Sequence, residues 1–213
     1  MHQDIKSHIE NLLEIYTNNE YYENLVEAKE YYFSKTGKAT EDDDDYELRM
    51  NAFTDWYLFQ YIPSDRKEPY AQTYAFDKNL VADFEKAFKN LNHSVFEYCG
   101  NSLTGKAVLK DILHNKKITL PKEHPEISLV KGDLFLGRSF PYKLEHYLHS
   151  GMCILPKEVK SIINKEAKKV RKLSDSQEEL EFLFFTESLK TKWSRYGHVE
   201  ISRIFVYPER KKK

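Results

Sequence analysis

Residues 133–141 read Asp-Leu-Phe-Leu-Gly-Arg-Ser-Phe-Pro. Leu134, Leu136, Arg138 and Phe140 fall on one side of a period-two pattern, with Phe135, Gly137 and Ser139 on the other. A side-chain period of two belongs to a strand, and apolar groups on both sides mean that both faces are covered. Lys131-Gly132-Asp133 is a turn signal just before it. Working outward, short segments of similar texture recur at 94–99, 108–113, 117–120 and 151–155. They are separated by turn signals at Gly100-Asn101, His114-Asn115 and Ser150-Gly151. Such a series predicts a small antiparallel β-sheet or barrel of about five strands.

On both sides of that block the period becomes helical. Ile5, Ile9, Leu12, Leu13 and Tyr16 recur at helical spacing over 2–17, and a second helix is predicted over 20–35, stopping near Gly37. The acidic run Glu41 to Asp45 precedes a third helix over 46–61, where carboxylates complement free N–H groups and the macrodipole. Phe53, Trp56, Tyr57 and Phe59 surround that third helix, which predicts a central position for it. Further helices are predicted over 77–91, from Pro156 to about 172, and from a cap at Ser174 or Ser176 onward past Trp193. The expectation is an α+β chain: N-terminal helices over 1–92, the sheet or barrel over 93–155 and C-terminal helices over 156–213. One compact body and two lobes are both compatible with 213 residues.

Composition narrows the function classes. With 40% hydrophobic and 31% charged residues the chain reads as folded, and it is long enough to bury a core without disulfides or structural metal. Cys99 and Cys153 lie far apart, which fits free thiols in a reducing compartment. No run is apolar enough for a membrane span, and Met1 to Glu10 lacks a basic segment followed by an apolar core, so a cytoplasmic location is expected. The net charge of −1 hides a split between about −10 over residues 1–100 and about +9 over 101–213. The two halves therefore either attract each other or present an anion-binding surface.

Four patterns suggest chemistry. Gly100-Asn101-Ser102-Leu103-Thr104-Gly105-Lys106 matches a phosphate loop through its lysine, but Ala107 stands where a magnesium-ligating hydroxyl belongs. A glycine hairpin is the competing reading, although Val108, Leu109, Ile112 and Leu113 have helical spacing. Glu145, His146, His149 and Cys153 resemble metal-ligand spacing, but Ser150-Gly151 breaks the helix that would align them and no second cluster completes the set. No metal and no cofactor are therefore expected. Cys99 with His93 lacks any local nucleophile signature. Asp55, amid aromatics, is either a buried acid or a carboxylate bonded to another element, with Arg138 and His198 as candidate partners. The helix after Pro156 carries Lys165, Lys168, Lys169, Arg171 and Lys172 opposite its apolar stripe, a candidate surface for an anionic partner. Asp133 and Arg138 are candidates on the barrel face.

Several segments carry a resemblance. They are Ala28 to Phe33 with Gly37, Glu41 to Asp45, Asn51 to Phe59, Ser94 to Glu97, Asp111 to Leu113, Lys131 to Arg138, and Arg195 to Val199. In this order they resemble an uncharacterised bacterial family similar to proteins with the SEC-C metal motif. The resemblance implies a helical front, a small β-barrel with a strand at 108–113, and closing helices. The cysteine-rich SEC-C segment is missing, so its zinc or partner binding is not carried over, and no reaction or catalytic residue comes with the family. The functional expectation is a non-catalytic cytoplasmic interaction or adaptor protein. A nucleic-acid-binding protein using the barrel and lysine helix is the alternative, and a nucleotide-binding hydrolase centred on Gly100 to Lys106 is a second.

Overall fold

In a computed structural model, which describes residues 2–124, 128–142 and 144–209, five antiparallel strands stand between two groups of helices. Helices α1 (His2–Tyr16), α2 (Tyr22–Thr36), α3 (Tyr46–Phe59), α4 (Tyr70–Asp77) and α5 (Ala82–Lys89) come first. Strands β1 (Asn92–Asn101), β2 (Ala107–Asp111), β3 (Lys116–Thr119), β4 (Leu134–Tyr142) and β5 (Glu145–Leu155) follow. Helices α6 (Lys160–Arg171), α7 (Ser176–Arg195) and α8 (Ile201–Ile204) close the chain. The sheet order is β3-β2-β1-β4-β5. The expected α+β architecture holds, with one correction: the sheet is open, not a closed barrel. It curls until β3 approaches β5, but no ladder joins those two edges.

Each face of the sheet has its own cover. Val95, Leu134, Leu136, Cys153 and Leu155 face α6 and α7, where they meet Ile163, Ala167, Val170, Phe182 and Leu183. The opposite face gathers Phe96, Leu109, Ile118, Leu120, Phe135 and Leu148 inside the curl. A third apolar cluster holds α1 to α5 together and reaches Phe140 of the sheet and Phe184 of α7. In α3, Ala52, Phe53, Trp56, Tyr57, Leu58 and Phe59 are all buried, so the central position predicted for it is correct. Each such side chain contributes about 1.5–3 kcal/mol on burial.

Three boundaries differ from the sequence reading, each for a local reason. The helix expected over 77–91 is shorter, running as α5 from Ala82 to Lys89; α4, ending at Asp77, is not among the expected helices, and between them Asn79 takes a left-handed φ of 46°. A short polar residue tolerates that conformation, and it redirects the chain. Ser150-Gly151 does not end a strand but sits in a bulge within β5, where the register to β4 shifts between Gly137 and Ser139. β5 therefore begins at Glu145. The cap of α7 is Asp175, whose Oδ1 accepts the N–H of Gln177 at 2.9 Å and of Glu178 at 3.3 Å.

Two glycines permit close approach. Gly37, at the end of α2, has φ 92°, and a Cβ there would stand 2.8 Å from the Thr191 methyl of α7. Gly151 lies so close to α3 that a Cβ would stand 2.5 Å from the Cα and N of Ala52 and 2.5 Å from Asp55 Oδ2. Backbone atoms cannot step aside as a flexible side chain can. Gly151→Ala is expected to destabilise the fold by about 1–3 kcal/mol, the usual range for overpacking a tight interior. A urea titration should show a lower midpoint with an unchanged slope.

Candidate functional site

Of the residues singled out in the sequence, Asp55, Arg138, His149 and Cys153 lie at the seam where α3 and α7 meet the sheet. Asp55 Oδ1 lies 3.0 Å from His149 Nδ1, and Oδ2 accepts the Gly151 N–H at 3.1 Å. Arg138, 1% exposed, donates to Gln60 Oε1 at 2.7 Å and to the Ala52 carbonyl at 3.0 Å. Beside them Tyr32 donates to Glu187 Oε2 at 2.9 Å. Burial pushes the Glu187 carboxyl above the usual range, against the Tyr32 hydrogen bond and the Arg138 and Arg49 charges. Burial likewise pushes the Cys153 thiol up, leaving it a small apolar group. Arg138 is thus covered by α3 on the helical face of the open sheet. Asp55 finds its partners in β5 rather than in Arg138 or His198.

Asp133 lies elsewhere, at the entry to β4. It accepts the Val130 N–H at 2.7 Å and pairs with Lys157 at 2.9 Å. The two barrel-face candidates therefore do not form one site. The basic helix also divides. Arg171 points into the protein and caps the carbonyls of Leu113 and Ile112, each at 2.7 Å, while Lys169 pairs with Glu166 at 2.7 Å. Lys165 and Lys168 of α6, and Lys172 just past its end, remain exposed.

The other patterns resolve structurally. Gly100 to Lys106 joins antiparallel β1 to β2, with Gly100 and Gly105 at φ 88° and 78° and Ser102 N–H donating to the Lys106 carbonyl at 2.8 Å. No helix begins there, and Lys106 Nζ lies 2.6 Å from Glu145 Oε1. His146 and His149 turn to opposite faces of β5: His146 Nδ1 lies 3.3 Å from Ser139 Oγ, whereas His149 meets Asp55 of α3. Among the described residues no group of three or more His, Cys, Asp or Glu is placed to hold a metal ion. The acidic run before α3 provides no side-chain cap for that helix. Instead Asp43 accepts the Thr40 N–H and pairs with Arg49, and Asp45 pairs with Lys190 of α7.

Two features escaped the sequence reading. One is a polar cluster at the end of β2, where fully buried Asp111 accepts from Ser94, from Asn92 at 3.0 Å and from the His114 N–H at 2.9 Å. His114 Nδ1 is also 2.9 Å from Asp111 Oδ2, and its Nε2 is 3.5 Å from Glu179 of α7. The Asp-x-x-His spacing is the signal that could have found it. The other is a cleft of about 770 Å3 between α2 and α7, floored by Leu180, Phe184, Phe185 and Pro208 with Tyr31 and Lys35 at its wall. Its rim carries Glu178, Glu181 and Glu209.

The Asp111–His114 pair makes stability depend on pH. The Asp111 hydrogen bond, with help from its charge and that of Glu179, raises the His114 pKa against the opposing effect of burial. Burial alone would raise Asp111, but hydrogen bonds from His114 and Ser94 outweigh it and hold that carboxyl low. A raised histidine contributes stability that is complete below its unfolded pKa of about 6.5 and fades as pH rises through the folded value. His114→Gln should therefore cost more stability at about pH 5.5 than at about pH 8.5. Equal losses in urea titrations at both pH values would contradict this.

Neither the curated proteins nor the solved structures contain a match to this sequence. One family model matches residues 2–190, which takes in all five N-terminal helices, the whole sheet, α6 and most of α7. The chain belongs to that family, a family of unknown function designated DUF7986.

Proposed function

We propose that this chain is a non-catalytic interaction or adaptor protein working in the bacterial cytoplasm, from a family that resembles SEC-C-motif-associated proteins but lacks the SEC-C cysteines here. The observation that supports the reading is the α2–α7 cleft. Its apolar floor is large enough to bury an anchor side chain, and its rim bears three carboxylates, Glu178, Glu181 and Glu209, against one ammonium, Lys35. The partner that fits is a protein segment with an aromatic or aliphatic anchor flanked by Lys or Arg. Asp55, Arg138, His149 and Glu187, by contrast, are buried within the seam between helices and sheet.

The nucleic-acid reading rests on Lys165 and Lys168 of α6 and Lys172 just past its end, which face solvent on the far side of that helix's apolar stripe. A photo-crosslinking amino acid placed at Phe185, and separately at Lys168, compares the two in cells. The proposal expects a discrete protein adduct at position 185 that disappears when Leu180→Asp is added. Adducts at position 168 to nucleic acid, with none at 185, would replace it with the nucleic-acid reading.

A further inference from the structure

The outer edge of β5 forms a second surface, independent of the α2–α7 cleft. β5 closes one end of the order β3-β2-β1-β4-β5. In an antiparallel pair, alternate residues turn their backbone N–H and C=O away from the partner strand. Leu148 does so. Its backbone N and O each lie 3.2 Å from His124 Nε2, so a side chain stands where a neighbouring strand would be.

The same alternation can be traced beyond the bulge. The Val95 carbonyl accepts from Ile112, so Val95 turns toward β2 and away from β4. Leu136, opposite Val95, must then turn toward β5 and exchange bonds with Cys153. Met152 and Ile154, on either side of Cys153, therefore face outward. Among the described residues no hydrogen bond to those outward groups is formed.

A cleft of about 370 Å3 follows this edge, lined by Tyr147, Leu148, Met152 and Ile154 of β5 with Leu48 of α3 and Leu129. Tyr147 packs with the helical side of the sheet, whereas Leu148, Met152 and Ile154 pack with the inside of the curl. A cleft that touches both faces of one strand must run along its edge. At Ile154 it adjoins a cleft of about 460 Å3 lined by Asp42 to Asp45 and by Arg49, Lys190 and Arg195, the last donating to the Lys38 carbonyl at 2.7 Å. Asp43 and Asp45 are taken by Arg49 and Lys190, while Asp42 and Asp44 face solvent.

We propose that β5 receives an extended peptide segment of a partner protein as an added strand. Backbone hydrogen bonds to Met152 and Ile154 supply the pairing, and alternate apolar side chains enter the cleft beside Leu48 and Leu129. A Lys or Arg at the end beyond Ile154 reaches Asp42 and Asp44. His124 marks the other end of the added strand by occupying Leu148.

The test selects a random seven-residue peptide display library on the purified chain and measures recovered peptides by fluorescence polarisation. Met152→Pro removes one outward N–H without touching the ladder to β4, as proline on an edge strand allows. Peptides with alternating apolar residues and a terminal Lys or Arg are expected, with affinity at least about tenfold weaker for Met152→Pro, and tenfold weaker again for wild type when alternate peptide amides are N-methylated. The N-methylated peptides carry the test if the proline variant does not fold. Failure to recover micromolar binders, or binders indifferent to N-methylation, would overturn the proposal. Binders lost instead with Phe185→Asp would assign recognition to the α2–α7 cleft and leave the interaction reading standing. A dimer of the chain that Met152→Pro dissolves would make a second copy the occupant and would equally overturn it.

Discussion

The contact on which the arrangement depends is the approach of α3 to β5 at Gly151. Without a side chain at Gly151, the helix comes near enough for the Asp55 carboxylate to accept a strand N–H and to meet the His149 ring. Arg138, on the adjacent strand β4 opposite the bulge in β5, reaches that helix through Gln60 and the Ala52 carbonyl. The bulge in β5 falls at His149 to Gly151, where the strand meets the helix. Bulges re-aim side chains, and here the bulge lies at a polar clasp inside an otherwise aromatic interior. Phe59 and Phe140 pack edge-on against the His149 ring at 4.8 and 4.9 Å.

The second group of helices is tied to the first by chemistry of the same kind. Glu187 of α7 accepts from Tyr32 of α2, Thr191 donates to the Thr36 carbonyl at 2.9 Å, and Lys190 pairs with Asp45. The charge division along the chain thus has a partial internal use, because Asp45, before α3, holds Lys190 of α7. The lysines in and around α6 do not take part in that docking. Lys157 and Lys160 pair with Asp133 and Glu97 of the sheet region, and Lys165, Lys168 and Lys172 face solvent.

Much of this fold was legible because its elements repeat their period cleanly. The alternation over 134–140 and the aromatic girdle of α3 gave type, order and centrality. What stayed hidden depends on pairs distant in sequence. Nothing near Asp55 names His149 as its partner, 94 residues on. Ser150-Gly151 reads as a turn in one dimension and becomes a bulge only when α3 presses on it. Closure of the barrel was likewise undecidable from strand count, since it turns on whether β3 meets β5 in register. Of the basic row on α6, periodicity placed the residues on one face, but it could not foresee that Arg171 folds inward to cap the end of β2.

The central claim is that the Asp55 clasp, rather than general hydrophobic contact alone, sets α3 on the sheet. Asp55→Ala would leave the Gly151 N–H and the His149 Nδ1 buried without their acceptor, at a cost of about 1–3 kcal/mol for each group. Urea unfolding of that variant should show a loss of about 2–6 kcal/mol relative to wild type. A loss below about 1 kcal/mol, the size of an ordinary surface substitution, would contradict the account.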